Sequence, residues 1–380
     1  MKKDNRLTYI AALIIAAIVF SFLTIYAFGE HRNSGLSVSA KSAVLYQPET
    51  DAFVFSKNAD ARLPMASTTK IMTALIALEN SDLDEIVEIC DSAVGVEGSS
   101  AYLKLGDALT MEELVYALLL QSANDAAVAI ACHIGGDVAG FASIMNDRAA
   151  RLKLTDTHFV NPHGLDDEEH YTTARELAII AAEAMKNDEF KRIVSTYKKT
   201  FATEDRSRTY VNHNKLLRLY DDCVGIKTGF TRKSGRCLVG AAEKDGLLLI
   251  TVTLDAPSDW NDHSAMLDYG YDKLERLCLA NEFDHIYKLP VIDGVKKEVT
   301  VANTDGAKII IKKNHADPDE NIRLVRYAIA PIKRGDILGE LIYSTNGETV
   351  ARIPLVATES VEKAKKHGFF DKLLSIFDNN

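Results

Sequence analysis

The 380-residue chain contains few cysteines, and they form neither a CxxC pair nor a Cys/His spacing that suits zinc. Dispersed thiols in odd number are not a disulfide framework, although a bridge between Cys223 and Cys237 is an open alternative. Cys132, within an apolar stretch, is interpreted as a small core residue. The five positions are Cys90, Cys132, Cys223, Cys237 and Cys278. The cysteine spacing therefore indicates no cysteine-ligated zinc site.

The chain also lacks an excess of positive charge. It carries 44 Lys and Arg against 54 Asp and Glu, a formal net charge of -10, and shows no basic cluster interleaved with aromatics. Phosphate recognition needs a basic surface, so the sequence excludes a nucleic-acid partner. A hydrophobic content of 47% with 26% charged residues is typical of a globular protein, and the length predicts two folded units plus accessory segments.

Long apolar runs are absent except at the N-terminus. There Lys2, Lys3 and Arg6 precede an uncharged run from Leu7 to Phe28. A basic start followed by an apolar run is the order of an export signal, and about 20 apolar residues can span a bilayer. Residues 1–30 are therefore predicted to be a signal peptide or a membrane anchor, with cleavage undecided. The rest of the chain is expected at the outer face of the cytoplasmic membrane, in the cell envelope.

The pattern along residues 37–282 predicts an α+β domain. Two apolar runs at 43–46 and 52–55 flank a Pro-containing turn and indicate a hairpin. Helical periodicity then covers 67–186, with capping boxes at Thr110/Glu113 and Thr173/Glu176 and two helices at 125–134 and 141–152. Short strands follow at 224–254, and a helix is predicted near 264–279. Strands at both ends of a helical block predict one antiparallel sheet in which the first and last strands meet.

Two further segments follow. Residues 284–358 are predicted to be a small all-β domain, because short strands alternate with the turn dipeptides Asp293-Gly294, Asp305-Gly306 and Asn346-Gly347. Residues 360–380 are predicted to be an amphipathic helix, with Phe369, Phe370 and Leu373 on one face and lysines around them. We expect this helix to lie on a membrane surface, the alternative being that it docks on the protein itself.

Three short polar motifs carry the chemistry: Ser67-Thr68-Thr69-Lys70, Ser122-Ala123-Asn124 and Lys227-Thr228-Gly229. Helical residues three apart share a face, so the hydroxyl of Ser67 and the amine of Lys70 are expected within hydrogen-bonding reach. A serine becomes nucleophilic when a base takes its proton, and lysine is a base only when neutral. Burial and the charge of Lys227 would both lower the pKa of Lys70.

The remaining motif residues suit substrate binding and proton transfer. Ser122 can pass a proton to a leaving amine, and the Asn124 amide can hold a peptide bond. Lys227, in its charged form, can meet a negative group, and Thr228 can bind a terminal carboxylate. Gly229 on a strand lets a substrate backbone approach, and the N–H of Ser67 can bind an oxyanion. This set predicts acyl transfer through a covalent acyl-enzyme.

In these motifs, in their order, and in the segments 161–166, 212–217 and 225–231, nearly the whole chain resembles the low-molecular-mass penicillin-binding proteins that act as D-alanyl-D-alanine carboxypeptidases. The resemblance implies a penicillin-binding/β-lactamase-like catalytic domain, an antiparallel sheet with a helical subdomain. It implies removal of the terminal D-alanine from the peptidoglycan pentapeptide, inhibition by β-lactam antibiotics, and no cofactor. It assigns Ser67 as nucleophile and Lys70 as base, with Ser122, Asn124 and Lys227 as the second catalytic group. The N–H of Phe230 is then the second oxyanion donor.

One departure concerns the substrate carboxylate. Some members bind it with an arginine after the last sheet strand, but residues 258–263 contain none. The carboxylate is left to Thr228, Lys227 or Thr231, or to a residue that the sequence does not place. Ser99, Ser100 and His163 are secondary candidates, His163 being interpreted as a turn residue that holds its loop.

Three alternative functions fit the sequence less well. A class A β-lactamase would use a glutamate between the second and third motifs, and acidic residues do occur at 166–169, but the usual E-x-x-x-N pattern is absent. A metal hydrolase could use His158, His163 and His170, but no H-E-x-x-H pattern supports it. A catalytically silent penicillin-sensing or wall-binding module is disfavoured because all motif side chains are intact.

Overall fold

The computed structural model describes residues 35–202, 206–314 and 316–365. The chain divides into two compact units, and the division falls between Tyr271 and Asp272. The export segment predicted at 1–30 and residues 366–380 of the predicted C-terminal helix lie outside the described residues.

The first unit is built around a five-stranded antiparallel sheet with the strand order β2-β1-β9-β8-β7. The predicted hairpin is confirmed as β1 and β2, and the predicted meeting of early and late strands is confirmed by the pairing of β1 with β9. Two small antiparallel strand pairs, β3 with β4 and β5 with β6, lie outside this sheet. The strands of the first unit are β1 Ser42–Gln47, β2 Ala52–Lys57, β3 Ile86–Glu88, β4 Ala108–Thr110, β5 Lys198–Ala202, β6 Ser207–Val211, β7 Cys223–Thr231, β8 Gly235–Lys244 and β9 Leu247–Leu254.

Helices fill the middle of the first unit, as the periodicity predicts. Both predicted N-caps are confirmed, because the Thr110 and Thr173 side chains accept from the N–H groups of Glu113 and Glu176. The two glutamates do not complete capping boxes: Glu113 accepts from Arg206 and Tyr210, and Glu176 accepts from the N–H groups of Thr155 and Asp156. The helices are α1 Lys70–Asn80, α2 Met111–Leu120, α3 Asn124–Gly135, α4 Val138–Arg151, α5 Ala174–Ala184, α6 Asp188–Val194, α7 Leu216–Leu219 and α8 Asp259–Lys273.

Two helix boundaries differ from the prediction. Ser67 lies in a 3-10 turn, Ala66–Thr69, and the α-helix begins only at Lys70. The helix predicted through residue 279 ends at Lys273, and Leu274–Ala280 forms a strand instead. That strand pairs with Ala307–Lys312, so tertiary pairing overrides the local apolar pattern.

The second unit is all-β in the described residues, as predicted. A six-stranded sheet has the order β14-β16-β17-β12-β11-β15, and β10 pairs with β13. Asn346 and Gly347, both with positive φ, join β16 to β17 as a hairpin, whereas Asp305-Gly306 lies between strands of different sheets. Val361 and Lys363 form β-bridges rather than helix. The strands are β10 Leu274–Ala280, β11 Ile286–Ile292, β12 Glu298–Ala302, β13 Ala307–Lys312, β14 Asp319–Leu324, β15 Ala328–Ile329, β16 Ile337–Thr345 and β17 Glu348–Ala357.

All five cysteines are free thiols. Cys223 lies opposite Ala242 and Cys237 opposite Gly229, at different ends of the β7–β8 pair, so the alternative of a Cys223–Cys237 bridge is wrong. Cys132 is half-buried at the margin of the core, where its Sγ lies 3.2 Å from Ser92 Oγ. Among the described helices none is long and apolar enough to cross a membrane alone, and only the bent pair α3 and α4 reaches that length and composition together.

Candidate active site

The amine of Lys70 is the centre of a buried polar cluster. Lys70 is the first residue of α1 and is fully buried. Its Nζ lies 2.9 Å from Ser67 Oγ and donates to Asn124 Oδ1 at 2.7 Å and to the His163 carbonyl at 2.6 Å. The first two sequence motifs and the 161–166 loop thus meet at one nitrogen atom.

The electrostatics of this cluster favour a neutral amine. Burial lowers the pKa of Lys70 well below its ordinary value, the charge of Lys227 lowers it further, and Asp125 opposes the shift. Burial also lowers the pKa of Lys227, to about 7. Charge on either amine disfavours charge on the other. At neutral pH at least one of the two amines is therefore neutral more often than it would be in two exposed lysines.

The third motif reaches the same place along β7. A Cβ added at Gly229 would lie 3.1 Å from the backbone nitrogens of both Ser67 and Thr68, so the bare backbone of the strand lies against the turn that carries Ser67. Lys227 lies two residues earlier on the same face of the strand, and its buried Nζ donates to the Thr228 carbonyl at 2.9 Å. A side chain at position 229 would fill the space beside the serine.

Strained backbone surrounds the serine. Ala66, just before it, has φ 48°, and the loop 161–166 packs onto that turn through Gly164 with φ 87°. A Cβ at Gly164 would lie 1.9 Å from the Ala66 carbonyl oxygen, so only glycine fits there. Asn161 Oδ1 shapes the loop by accepting from the N–H groups of His163 at 3.2 Å and Gly164 at 2.7 Å. This loop sets the position of the His163 carbonyl beside Lys70.

The second motif joins α2 to α3. Ser122 has φ 63° and is buried, and Asn124 is the first residue of α3. The Asn124 backbone N–H donates to the Ser99 carbonyl at 2.7 Å, and its Nδ2 donates to the Glu97 carbonyl at 2.5 Å. The Asn124 side chain is therefore fixed from two sides, by the loop 97–103 and by Lys70.

Asp125 is a site residue that the sequence reasoning missed. Its buried carboxylate accepts from the Ser100 hydroxyl at 2.6 Å and from the N–H groups of Ala101 at 2.9 Å and Leu103 at 3.1 Å. The candidates Ser99 and Ser100 thus hold the cleft-edge loop through a carbonyl and a hydroxyl. An acidic residue in the first helical turn, directly after the second motif, was the available signal.

The histidines near the site are structural. His170 Nδ1 accepts from the Val160 N–H at 3.1 Å, so Nε2 carries the proton and donates to Thr69 Oγ1 at 2.8 Å.

The ring of His163 accepts from the Leu165 N–H at 3.2 Å, and burial lowers its pKa to about 3. His158 Nδ1 lies 2.6 Å from the Glu169 carbonyl. In the described ranges no three His, Cys, Asp or Glu side chains gather as a metal site would require.

The expected substrate side of the cleft is the free edge of β7, the last strand in the sheet order. Phe230 is 65% exposed there and Thr228 is half-exposed, whereas the Thr231 hydroxyl donates to Asp166 Oδ1 at 2.8 Å. An unpaired strand edge offers backbone groups to an extended peptide.

Two family models match the chain. One, described as D-alanyl-D-alanine carboxypeptidase, matches residues 29–258, and the other, described as penicillin-binding protein 5, C-terminal domain, matches residues 281–363. The chain belongs to the D-alanyl-D-alanine carboxypeptidase family. The family resemblance, the α+β fold and the assignment as an enzyme are confirmed.

Individual relatives and solved structures are similar to most of this chain. DacF of Bacillus subtilis is 32% identical over 93% of this chain and 95% of its own length, and DacC of Escherichia coli is 29% identical over 94% and 92%. The structure of penicillin-binding protein 5 from Haemophilus influenzae has a TM-score of 0.64 at 28% identity and covers 86% of this chain and 98% of its own. The Streptomyces K15 DD-transpeptidase, at 34% identity and a TM-score of 0.58, covers 62% of this chain and 98% of its own.

Proposed function

We propose that this family member removes the terminal D-alanine of peptidoglycan stem peptides through an acyl-enzyme on Ser67, and that β-lactam antibiotics acylate the same serine. The observation that carries the proposal is the 2.9 Å separation of Ser67 Oγ from the buried Lys70 Nζ, whose pKa is strongly lowered. Ser67 itself remains partly exposed and can be reached by a substrate.

The three partners of Lys70 Nζ match a general base. A neutral amine has two N–H bonds and one lone pair. Asn124 Oδ1 and the His163 carbonyl accept the two N–H bonds, which leaves the lone pair for the Ser67 hydroxyl. Lys70 then takes the serine proton as Oγ attacks the carbonyl carbon of the penultimate D-alanine.

The other predicted residues supply the rest of the reaction. Ser122, beside the leaving group, passes a proton to the departing D-alanine nitrogen, and Asn124 holds the substrate amide. Lys227 supports this proton transfer, because a pKa lowered to about 7 lets its amine gain or lose a proton near neutral pH. The N–H groups of Ser67 and Phe230 bind the oxyanion. The C–N bond breaks as the ester on Ser67 forms, and water then hydrolyses the ester to regenerate the hydroxyl.

The alternatives are less well supported. For the class A β-lactamase reading, the first acidic residue of the 166–169 stretch, Asp166, accepts from the Thr231 hydroxyl, and the relatives are carboxypeptidases. For the metal hydrolase, the ring nitrogens are engaged by the protein: His163 accepts from the Leu165 N–H, and His170 accepts from the Val160 N–H and donates to Thr69. A catalytically silent module would not require Ser67 and Asn124 to contact the buried amine of Lys70.

The location remains part of the proposal. In residues 1–30 a basic start precedes an apolar run, and this order supports export. The amphipathic pattern of residues 360–380 supports contact with a membrane surface. Deletion of residues 1–30 should leave the protein in the cytoplasm. Recovery of the deleted form in the envelope would contradict export by this segment.

The test of the activity is release of D-alanine from an acylated peptide ending in D-Ala-D-Ala. Ser67→Ala should lower kcat by about a thousandfold or more, because no covalent intermediate can form. Ser195→Ala, at an exposed helix end in the same unit, is the matched control and should keep full activity. Retained release by Ser67→Ala would show that the nucleophile is misassigned. Rapid penicillin hydrolysis without D-alanine release would favour the β-lactamase.

A further inference from the structure

The group that binds the terminal carboxylate of the substrate is the open question at this site. Thr231 already donates its hydroxyl to Asp166, and Lys227 is buried with its Nζ on the Thr228 carbonyl. No arginine occurs in residues 258–263, where some members of the resembled family carry one. A carboxylate bound at the exposed edge of β7 would still need a partner of positive charge.

Strand register places an arginine beside Thr228. Phe230 on β7 lies opposite Arg236 on β8, and Thr228 lies opposite Leu238. Side chains directly opposite share a face, and alternate residues of one strand do as well, so Thr228, Phe230 and Arg236 all project from the same face. Arg236 is thus the diagonal neighbour of Thr228, at a separation of about 7–8 Å that an arginine side chain can span.

The guanidinium of Arg236 is held in place yet remains accessible. It pairs with Asp259 Oδ2 at 2.9 Å, and it lies over the ring of Trp260, 5.6 Å from the centroid. The Asp259 side chain is only 4% exposed, whereas that of Arg236 is 44% exposed. Asp259 and Trp260 thus hold the guanidinium, while nearly half of the Arg236 side chain remains open to solvent. A planar guanidinium with five N–H donors can serve a second carboxylate while it keeps the first.

We propose that Arg236 binds the terminal carboxylate of the substrate, together with the Thr228 hydroxyl, and so selects peptides with a free C-terminus. The inference rests on the proposed carboxypeptidase function and adds the residue that determines this specificity. The carboxylate belongs to the D-alanine that leaves, so the contact is made before and during acylation and departs with the product. Arg236 acts on substrate selection and not on hydrolysis of the acyl-enzyme.

The test compares two acylated peptides ending in D-Ala-D-Ala, one with a free carboxylate and one with a terminal carboxamide. Arg236→Gln alone would leave Asp259 buried without its partner, so the informative variant is Arg236→Gln combined with Asp259→Asn. For this variant kcat/KM on the free-acid peptide should fall about 10- to 100-fold, while kcat/KM on the amide peptide should stay within about threefold of wild type. The preference for the free acid would then nearly disappear.

Two controls isolate the guanidinium. Asp259→Asn alone should keep the preference, because the arginine remains. Arg232→Gln removes the same charge from the exposed β7–β8 turn and should also keep it. Equal losses on both peptides would reduce Arg236 to a structural role and overturn the inference, as would an unchanged preference. If wild type released neither D-alanine from the free-acid peptide nor D-alaninamide from the amide peptide, the proposed function would fail and the inference with it.

Discussion

At the residue scale, the site depends on two amines that the fold removes from water. Lys70 and Lys227 are among the largest fully buried side chains of the described residues. A buried amine disfavours its own charge, so these lysines reduce stability at pH values where the unfolded chain would be protonated. Function therefore explains their burial better than stability does.

Replacement of Lys227 by methionine should stabilise the first unit and abolish activity. The folded pKa of Lys227 is about 7 against an ordinary value of 10.5, so the destabilisation is complete below about pH 7 and disappears as the pH rises towards 10.5. Lys227→Met is expected to be about 2 kcal/mol more stable than wild type at pH 6, and nearly equal to it at pH 10. Urea unfolding followed by fluorescence of Trp260, the one tryptophan of the chain, measures this unit. A less stable variant at pH 6 would contradict the role of buried charge.

Gly229 should be needed for acylation more than for folding. An added Cβ meets the nitrogens of Ser67 and Thr68 at 3.1 Å, which crowds the turn that carries Ser67. Gly229→Ala should slow penicillin acylation about 10-fold or more, with a loss of about 1 kcal/mol in stability. Gly136→Ala is the control, because position 136 has φ 78° and open space, so it should lose stability without losing acylation. Equal acylation rates in the two variants would refute the close approach of β7.

Sequence reasoning located the motif residues because their chemistry is local in spacing and type. Ser67 and Lys70 are three apart, and their contact follows from any helical turn. It could not predict the contacts of Asp125, of the His163 carbonyl or of Arg236, because these contacts join loops and strands that only tertiary packing brings together. The carbonyl oxygen has no sequence signature, since every residue carries one.

At the element scale, the cleft is shaped by short loops anchored on helix starts. Asp125, in the first turn of α3, accepts hydrogen bonds from three donors in the loop 97–103. The same loop fixes Asn124 through the carbonyls of Glu97 and Ser99. Loss of this anchor should loosen both the loop and the second motif.

Asp125→Ala is therefore expected to speed amide exchange at Ala101 and Leu103, whose N–H groups lose their acceptor, and to slow acylation about 10-fold or more. Asp137→Ala, which removes the cap of α4, is the control. It should cost about 1 kcal/mol without changing exchange at those two residues. Unchanged exchange in Asp125→Ala would show that the loop holds its shape by other contacts.

The type of an element was predictable where one hydrophobic periodicity or one N-cap dominated the local sequence. The hairpin of β1 and β2 and the capped starts of α2 and α5 are examples. The helix predicted to continue to residue 279 is wrong because Leu274–Ala280 finds a partner strand far along the chain. Apolar runs of this length fit a buried helix or a strand equally, and only the partner decides.

At the scale of the whole molecule, every residue assigned to the site lies in the first unit. The Streptomyces K15 DD-transpeptidase matches only 62% of this chain, yet the match includes 98% of its own length. A chain cut after Lys273, at the end of α8, should therefore fold and be acylated by penicillin at a rate within about threefold of the intact protein. Failure of the shortened chain to bind penicillin, with its Trp260 fluorescence unchanged from the folded protein, would mean that the second unit contributes to catalysis.

The most direct test of the central claim is peptide mapping of the protein after reaction with penicillin. The account predicts that the peptide containing Ser67 alone gains the full mass of the antibiotic, and that Lys70→Met abolishes this gain while the variant stays folded. An adduct on any other residue, or labelling that survives the loss of the Lys70 amine, would contradict the proposal that this lysine activates that serine.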